Sequence, residues 1–231
     1  MIPYESSSYP PDDYCVRLEF NSHRTEIAIG RMPITSNSVG DAMITKINYY
    51  EHESSRDDWR TKVGLIADDG DKSNNETDGA LHLNQSETLS SQYLPEAFQP
   101  KKIYLVEYPT ENVARGRRKT SVTQDYISTI NTSAVLLLNW IGHGNPRVWA
   151  HEFVFERETT PSQMNNPTKP FFLTAATCDF ARFDLTDVQS GAEILVLKET
   201  GGAIGTFSAA RVVFAYANAE INQEFYTNLF K

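Results

Sequence analysis

The fold is decided by Ala134-Val135-Leu136-Leu137-Leu138-Asn139-Trp140-Ile141, an almost wholly apolar run that stops at Gly142-His143-Gly144. A second run of the same kind, Phe171-Phe172-Leu173-Thr174-Ala175-Ala176, stops at Thr177-Cys178-Asp179. Short runs without polar alternation are typical of strands buried on both faces of a parallel sheet. Ligands and chemistry collect at the carboxyl ends of such strands. If these two strands are neighbours, an imidazole and a thiol emerge side by side.

Strand and helix patterns alternate along the rest of the chain. The apolar spacing predicts helices at 38–52 (with Ser38 as N-cap), 79–93, 120–131, 190–199 and 217–229, and strands at 26–30, 63–67, 102–106 and 203–207. This alternation indicates βαβ units, and therefore an α/β fold with a mostly parallel sheet and helices on both faces. Residues 1–22 are interpreted as an irregular N-terminal segment, and residues 23–231 as one domain.

Composition narrows the class of protein. The chain has 231 residues, of which 40% are hydrophobic, and a formal net charge of −9, which argues against nucleic-acid binding. Its basic cluster, Arg115-Gly116-Arg117-Arg118-Lys119, is interpreted as an exposed loop, with a docking site for an anionic partner as the alternative. No apolar run approaches the roughly 18 residues that span a membrane, and Met1-Ile2-Pro3-Tyr4-Glu5-Ser6 does not resemble a signal peptide.

Cysteine and metal patterns give little support for a cofactor. Cys15 and Cys178 are too few for a disulfide scaffold and lack zinc spacing. His143 and His151 share a loop without the carboxylate pattern of a zinc hydrolase. The acidic turn Asp68-Asp69-Gly70-Asp71 is a candidate for a structural calcium ion, although it does not match an EF-hand loop. No other metal or cofactor is expected.

His143 and Cys178 form the candidate catalytic pair. Alone, the histidine has an alternative reading as a loop residue, and the cysteine has one as a small buried hydrophobe. Together they predict nucleophilic catalysis, in which the imidazole accepts the thiol proton and later protonates the leaving amine. The amides of Gly144 and Cys178 are the candidate oxyanion hole. Asp68 and Asp69 end the 63–67 strand and are candidates to orient the histidine, with a solvated acidic loop as the alternative.

An ordered set of segments resembles the gingipain family of cysteine peptidases. The segments are Tyr9–Tyr14, Glu26–Pro33, Leu138–Gly144 with Trp149–Glu152, Phe172–Phe183, and Gly201–Ile204 with Ser208–Phe214. Within that family, the chain is most similar to the sortases of the type IX secretion system. The resemblance implies a caspase-like fold for residues 23–231 and a peptidase domain that continues in a longer protein.

The resemblance also implies roles for individual residues. It makes Cys178 the nucleophile, His143 the base and Asp69 the acidic partner. Asp78 matches the acidic pocket residue of the arginine-specific members, and Phe214 matches an aromatic wall of that pocket. The gingipains have Asn-Gly soon after the cysteine, whereas this chain has Asp179-Phe180, and its pocket residues around Arg211 also differ. Arginine specificity is therefore not implied.

The implied function is a cysteine endopeptidase that removes C-terminal sorting domains from secreted cargo. An amine in place of water would resolve the acyl-enzyme by transpeptidation. The implied partners are cargo tails and other type IX secretion components, and the implied location is extracytoplasmic, at the bacterial cell surface or outer membrane. The alternatives are a catalytically silent cargo-binding module of the same fold and a general secreted processing protease.

Overall fold

A computed structural model describes residues 12–19, 26–70, 76–114 and 116–231. The strands are β1 (Lys62–Ala67), β2 (Gln99–Tyr104), β3 (Glu111–Val113), β4 (Gly116–Arg118), β5 (Leu137–Ile141), β6 (Val148–Trp149), β7 (Phe155–Glu156), β8 (Phe171–Ala176) and β9 (Ala203–Ser208). The helices are α1 (Asn37–His52), α2 (Glu76–Thr88), α3 (Thr120–Ser128), α4 (Thr160–Gln163), α5 (Gly191–Leu197) and α6 (Ala215–Leu229). Helices α2 and α3 each run on into a π-helical turn, Leu89–Tyr93 and Thr129–Ser133.

The central sheet has five parallel strands in the order β2-β1-β5-β8-β9. Side chains of successive residues point to opposite faces, so each strand contributes to two cores. Leu138 and Trp140 pack in a cluster with residues of α1, α3 and α5. Leu137 and Ile141 pack in a second cluster that includes Tyr226 of α6. The α/β fold with helices on both faces is therefore confirmed.

The register of the sheet aligns three strand ends. Ile141 of β5 pairs with Ala67 of β1 on one side and with Ala176 of β8 on the other. Each strand ends at that residue, so Asp68, Gly142 and Thr177 begin three loops at one level of the same edge. The prediction that the His143 and Cys178 strands are neighbours is confirmed.

Two predicted element boundaries are corrected at the start of the domain. Residues 26–30 form no strand, because Ile27 and Ile29 are 54% and 48% exposed and no described strand pairs with them. The N-cap of α1 is Ser36 and not Ser38: its backbone is extended, and its hydroxyl accepts a hydrogen bond from the amide of Val39 at 3.4 Å. Ser38 already lies within the helix, where the hydroxyl cannot act as the cap.

The basic cluster is also corrected, because its described residues are part of the packed structure. Arg117 lies on β4, in the β3–β4 hairpin, and forms an ion pair at 2.8 Å with the buried Glu152. Lys119 is 3% exposed and donates to the carbonyls of Leu105 and Tyr108 at 2.7 and 2.6 Å. Carboxylates and carbonyls compensate these charges inside the fold, so the segment is not an exposed loop. Arg115 lies outside the described residues.

A buried lysine ties the first helix to the crossover between β8 and β9. Nζ of Lys46, on α1, lies 2.5, 2.9, 3.3 and 3.1 Å from the carbonyl oxygens of Val196, Lys198, Gly201 and Ala203, which share its three N–H donors. These carbonyls come from the end of α5, the turn after it and the start of β9. One side chain therefore satisfies backbone acceptors that the helix end leaves without partners.

Within the described ranges, no helix combines the length and apolarity that crossing a bilayer requires.

Candidate active site

His143 is held in a loop between the ends of β1 and β8. The amide of Gly142 donates to the carbonyl of Ala176 at 3.4 Å. A Cβ on Gly142 would lie 2.2 Å from the Cβ of Asp68, and one on Gly144 would lie 2.6 Å from Oγ1 of Thr177. The two glycines are required because the neighbouring loops approach the main chain more closely than any side chain allows.

Cys178 occupies the equivalent position on the adjacent strand. It lies two residues beyond the end of β8, just as His143 lies two residues beyond the end of β5. Its side chain is half-buried, and Sγ lies 3.5 Å from both the amide nitrogen and the carbonyl oxygen of Val213. The next residue, Asp179, has φ of 54°, and its amide donates to the carbonyl of Arg211 at 3.1 Å. The chain therefore turns sharply at Asp179, directly after the thiol.

The two amides proposed for the oxyanion hole are available as donors. The amide of Asn145 donates to Val148 and that of Ala150 donates to His143, at 3.1 and 3.0 Å. Gly144 lies opposite Trp149, between these two hydrogen bonds. This is a non-hydrogen-bonded position of an antiparallel pair, so the amide of Gly144 points away from the segment that carries Trp149. Within the described residues, the amides of Gly144 and Cys178 donate no hydrogen bond. Their role as oxyanion donors stays a prediction.

Asp78 is the carboxylate that contacts the imidazole. Its Oδ2 lies 2.8 Å from Nε2 of His143. Helix α2 begins at Glu76, three residues before the predicted start, so Asp78 lies in its first turn. A Cβ on Gly79 would lie 2.3 Å from the carbonyl oxygen of Asp69, so this glycine lets α2 approach the end of β1. That close approach brings Asp78 to the histidine.

The expectation that Asp69 orients the histidine is corrected. Its Oδ2 lies 3.1 Å from Nζ of the buried Lys119. The preceding residue, Asp68, faces the site, where Oδ2 accepts a hydrogen bond from the amide of His143 at 2.8 Å. The two adjacent carboxylates therefore have different partners, Lys119 for Asp69 and the amide of His143 for Asp68. Burial raises the pKa of Asp68. Asp71 lies outside the described residues, and calcium binding at this turn stays a prediction.

Two further histidines contact His143, and the sequence analysis missed both roles. The ring of His82 meets that of His143 edge-on, with centroids 5.4 Å apart, and the ring of His151 does so at 5.6 Å. His82 is buried one turn after Asp78 on α2, with its Nε2 3.5 Å from Oδ1 of that carboxylate. Burial lowers the pKa of His82, which keeps its ring neutral at neutral pH. The spacing of Asp78 and His82 places them on one helix face and was visible in the sequence.

The other predicted substrate-binding residues lie on the Cys178 side of the site. Arg211 forms two hydrogen bonds with Asp184, at 2.9 and 2.6 Å. The guanidinium holds the pKa of Asp184 below its usual range. Phe214 is 75% exposed at the start of α6 and stacks on Tyr216 with ring centroids 6.3 Å apart. The predicted role of Asp78, Arg211 and Phe214 in substrate binding stays a prediction.

A small cavity opens beside the thiol, between the ends of β8 and β9 and helix α6. Its volume is about 190 Å³, and its lining includes Ala176, Ser208, Val213 and Asn218. Val213 is the residue whose backbone contacts Sγ of Cys178. All of the lining side chains are uncharged. This cavity is therefore a candidate space for a side chain adjoining a carbonyl that the thiol attacks.

Comparison with known proteins identifies the family. The family model for peptidase family C25 matches residues 1–231. The chain belongs to peptidase family C25, the gingipain family. The comparison of this chain with curated protein sequences finds no match.

Solved structures share the fold of this C25 member. The complex of the pro- and mature domains of RgpB from Porphyromonas gingivalis is 19% identical, with a TM-score of 0.75 over 95% of this chain and 49% of that chain. The Arg-specific cysteine proteinase gingipain R (RgpB) is 19% identical, with a TM-score of 0.71 over 95% of this chain and 50% of that chain. A further protease structure is 17% identical, with a TM-score of 0.69 over 90% of this chain and 42% of that chain. The chain spans at most half the length of these three, and the implied gingipain-like fold is confirmed.

Proposed function

We propose that this chain is the catalytic region of a cysteine endopeptidase, with Cys178 as the nucleophile and His143 as the general base. The observation that carries the proposal is the position of both residues two places beyond the paired ends of adjacent parallel strands. A nucleophile and a base from neighbouring strand ends, with a third group on the base, form the usual constellation for covalent catalysis. Membership of a cysteine peptidase family supports the same assignment.

The contacts of His143 define the proton path in this proposal. A carboxylate only accepts hydrogen bonds, so Nε2 of His143 carries the proton that it shares with Asp78 at 2.8 Å. In the neutral ring, the lone pair that accepts the thiol proton is then on Nδ1. The Cys178 thiolate attacks the substrate carbonyl, and the amides of Gly144 and Cys178 stabilise the oxyanion. The imidazolium, stabilised by Asp78, gives its proton to the departing amine and leaves a thioester on Cys178.

The cavity beside Cys178 supports a substrate with a small uncharged residue before the scissile bond. Its lining carries no carboxylate to pair with a guanidinium, and Asp78 is engaged by His143 and His82. A buried cation without a partner carries a large desolvation cost. We therefore expect peptides with alanine, serine or valine at this position to be cleaved with a kcat/KM at least about tenfold above that of the arginine peptide. Faster cleavage of the arginine peptide would contradict this.

The biological role that we propose is removal of C-terminal sorting domains from secreted cargo. It is supported by the resemblance of the segment around Cys178, from Phe172 to Phe183, to the nucleophile segment of type IX secretion sortases. In that role the protein acts outside the cytoplasm, at the cell surface or outer membrane, together with other secretion components. Resolution of the thioester by an amine would attach the cargo to its acceptor, whereas water would release it.

Incubation with a synthetic cargo tail tests this function. Mass spectrometry of the product termini separates the outcomes: a new carboxylate shows hydrolysis, and a new amide to an added amine shows transpeptidation. Cys178→Ala should abolish both products, whereas Cys15→Ala should leave them unchanged because Cys15 lies outside the site. Binding of the tail without any cleavage by the wild-type chain would favour the silent cargo-binding module.

A further inference from the structure

We propose that Asp68, His82 and His143 form a binding site for a divalent transition-metal ion of the Zn²⁺ class, which would hold the peptidase in an inactive state. One ligand atom of each residue lies within 4.8 Å of the others. The three residues come from the end of β1, from α2 and from the loop after β5, so no spacing in the sequence announces them. Binding does not depend on the proposed peptidase function, whereas the inhibition rests on it.

The donor set fits this class of metal. Two imidazole nitrogens and one carboxylate oxygen are the ligands of many zinc sites, which leave a fourth position for water. Zn–N and Zn–O bonds of about 2.0–2.2 Å place tetrahedral ligands roughly 3.3 Å apart. Side-chain movements of about 1.5 Å or less would therefore close the site. Calcium and magnesium are disfavoured because they prefer oxygen ligands alone.

The state of His82 is the independent observation that points to a ligand. Its side chain is 5% exposed, and within the described residues neither ring nitrogen makes a hydrogen bond of good geometry. The closest carboxylate oxygen, Oδ1 of Asp78, stands 3.5 Å away. A buried polar group whose hydrogen bonds are long or missing costs stability, and coordination of a metal would supply a short bond to a ring nitrogen. His82 reaches toward His143 and Asp68, which are the other two ligands.

Asp78 adds the supporting contact that metal-bound histidines usually have. It lies against both imidazoles, at 2.8 Å from Nε2 of His143 and 3.5 Å from Nε2 of His82. A carboxylate in this position fixes the ring orientation and strengthens the nitrogen as a ligand. Since His143 is the proposed general base, a metal ion on its ring competes with the thiol proton. The expected consequence is reversible inhibition that a chelator relieves.

The competing explanation is zinc bound directly by the Cys178 thiolate and His143. Binding is therefore measured by calorimetry with Zn²⁺ alone, in a Cys15→Ser, Cys178→Ser background without either thiol. We expect one ion per chain in this background. We also expect His82→Phe to weaken binding at least about tenfold, because it keeps the ring packing and removes both nitrogens. His151→Phe is the matched control: His151 also meets His143 edge-on but is outside the cluster, so its affinity should be unchanged.

Co²⁺ absorption in the His82→Gln variant provides a second test of the site. Co²⁺ bound in the thiol-free background should show the intense visible bands of a four-coordinate site, and His82→Gln should lose them while its circular dichroism stays that of a folded chain. Loss of Zn²⁺ binding on removal of Cys178, with full binding in His82→Phe, would overturn the proposal. Equal loss in His82→Phe and His151→Phe would also overturn it. A chain without peptidase activity that still binds Zn²⁺ through His82 would refute the proposed function and leave the metal site intact.

Discussion

At the scale of single residues, the histidine loop shows what the sequence could and could not predict. The Gly142-His143-Gly144 pattern placed a histidine at the end of a buried strand, where chemistry was expected. The structure shows why glycines flank it, because they admit Asp68 and Thr177. Asp69 was expected to orient His143 and Asp78 to bind substrate, whereas Asp78 contacts the imidazole and Asp69 pairs with Lys119. This difference was not visible in the sequence because it depends on where α2 meets the sheet.

The contacts of Asp78 with His143 and of Asp69 with Lys119 make a direct prediction. Asp78→Asn should lower kcat/KM about a hundredfold or more, because the amide cannot stabilise the imidazolium that forms on His143. Asp69→Asn should leave kcat/KM nearly unchanged and lower the free energy of unfolding by about 1–3 kcal/mol, since it leaves the buried Lys119 without its carboxylate. Peptide kinetics and urea titration measure the two effects. A larger kinetic loss in Asp69→Asn would restore the assignment made from the sequence.

Gly144 provides a test of the close approach between the two loops. Gly144→Ala places a methyl group 2.6 Å from Oγ1 of Thr177, so one loop must shift. We expect a loss of about 1–3 kcal/mol in the free energy of unfolding, as in overpacked cores. Thr177→Ala in the same chain removes the clashing atom and should recover part of the loss. If the two losses simply add in a double-mutant cycle, the contact between the loops is refuted.

At the scale of elements, buried polar side chains determine how helices and strands meet. Helix periodicity predicted α1 and α5, and the capping box of Ser190 and Glu193 explains why α5 begins where the sequence indicated. Periodicity could not show that Lys46 of α1 would donate to carbonyls between the end of α5 and the start of β9. It also could not show the two short hairpins, β3–β4 and β6–β7, whose strands of two or three residues are too short for any alternation to be visible.

Lys46 should be one of the most sensitive positions outside the active site. Lys46→Met retains the length of the side chain but removes the three N–H donors that the four carbonyl oxygens share. We expect the free energy of unfolding to fall by about 2–4 kcal/mol, from buried acceptors left without partners. Chemical denaturation measures this loss. Lys101→Met removes a lysine that is paired only at the surface and is the matched control, with an expected loss under about 1 kcal/mol.

The Arg211–Asp184 pair predicts a pH dependence next to the nucleophile. Since Arg211 lowers the pKa of Asp184, the pair stabilises the fold above the unfolded-state pKa of about 3.9, and this contribution is lost as the pH falls through the lower folded-state value. The free energy of unfolding of Asp184→Asn should therefore be below that of the wild type at pH 7, by less than about 1 kcal/mol for a partly exposed pair. The difference should vanish in strong acid.

At the scale of the whole molecule, the order of the strands creates the site. The parallel sheet and its helices were predictable from the sequence because buried strands and amphipathic helices alternate. The order β2-β1-β5-β8-β9 was not, although it places β5 between β1 and β8. That order brings acidic residues to one side of His143 and the thiol to the other. Side-chain partners across the sheet, such as His82 with His143, follow from this order and so were not predictable.

The pairing of His143 with Cys178 is the central claim, and alkylation kinetics test it most directly. The rate constant for reaction with iodoacetamide is measured separately at Cys178 and Cys15 by peptide mass spectrometry, in the wild type and in His143→Ala. Cys178 should react faster than the exposed Cys15, and His143→Ala should slow Cys178 about tenfold or more while leaving Cys15 unchanged, because thiolate formation needs the base. Equal rates at both thiols, or a Cys178 rate that does not respond to the loss of His143, would contradict it.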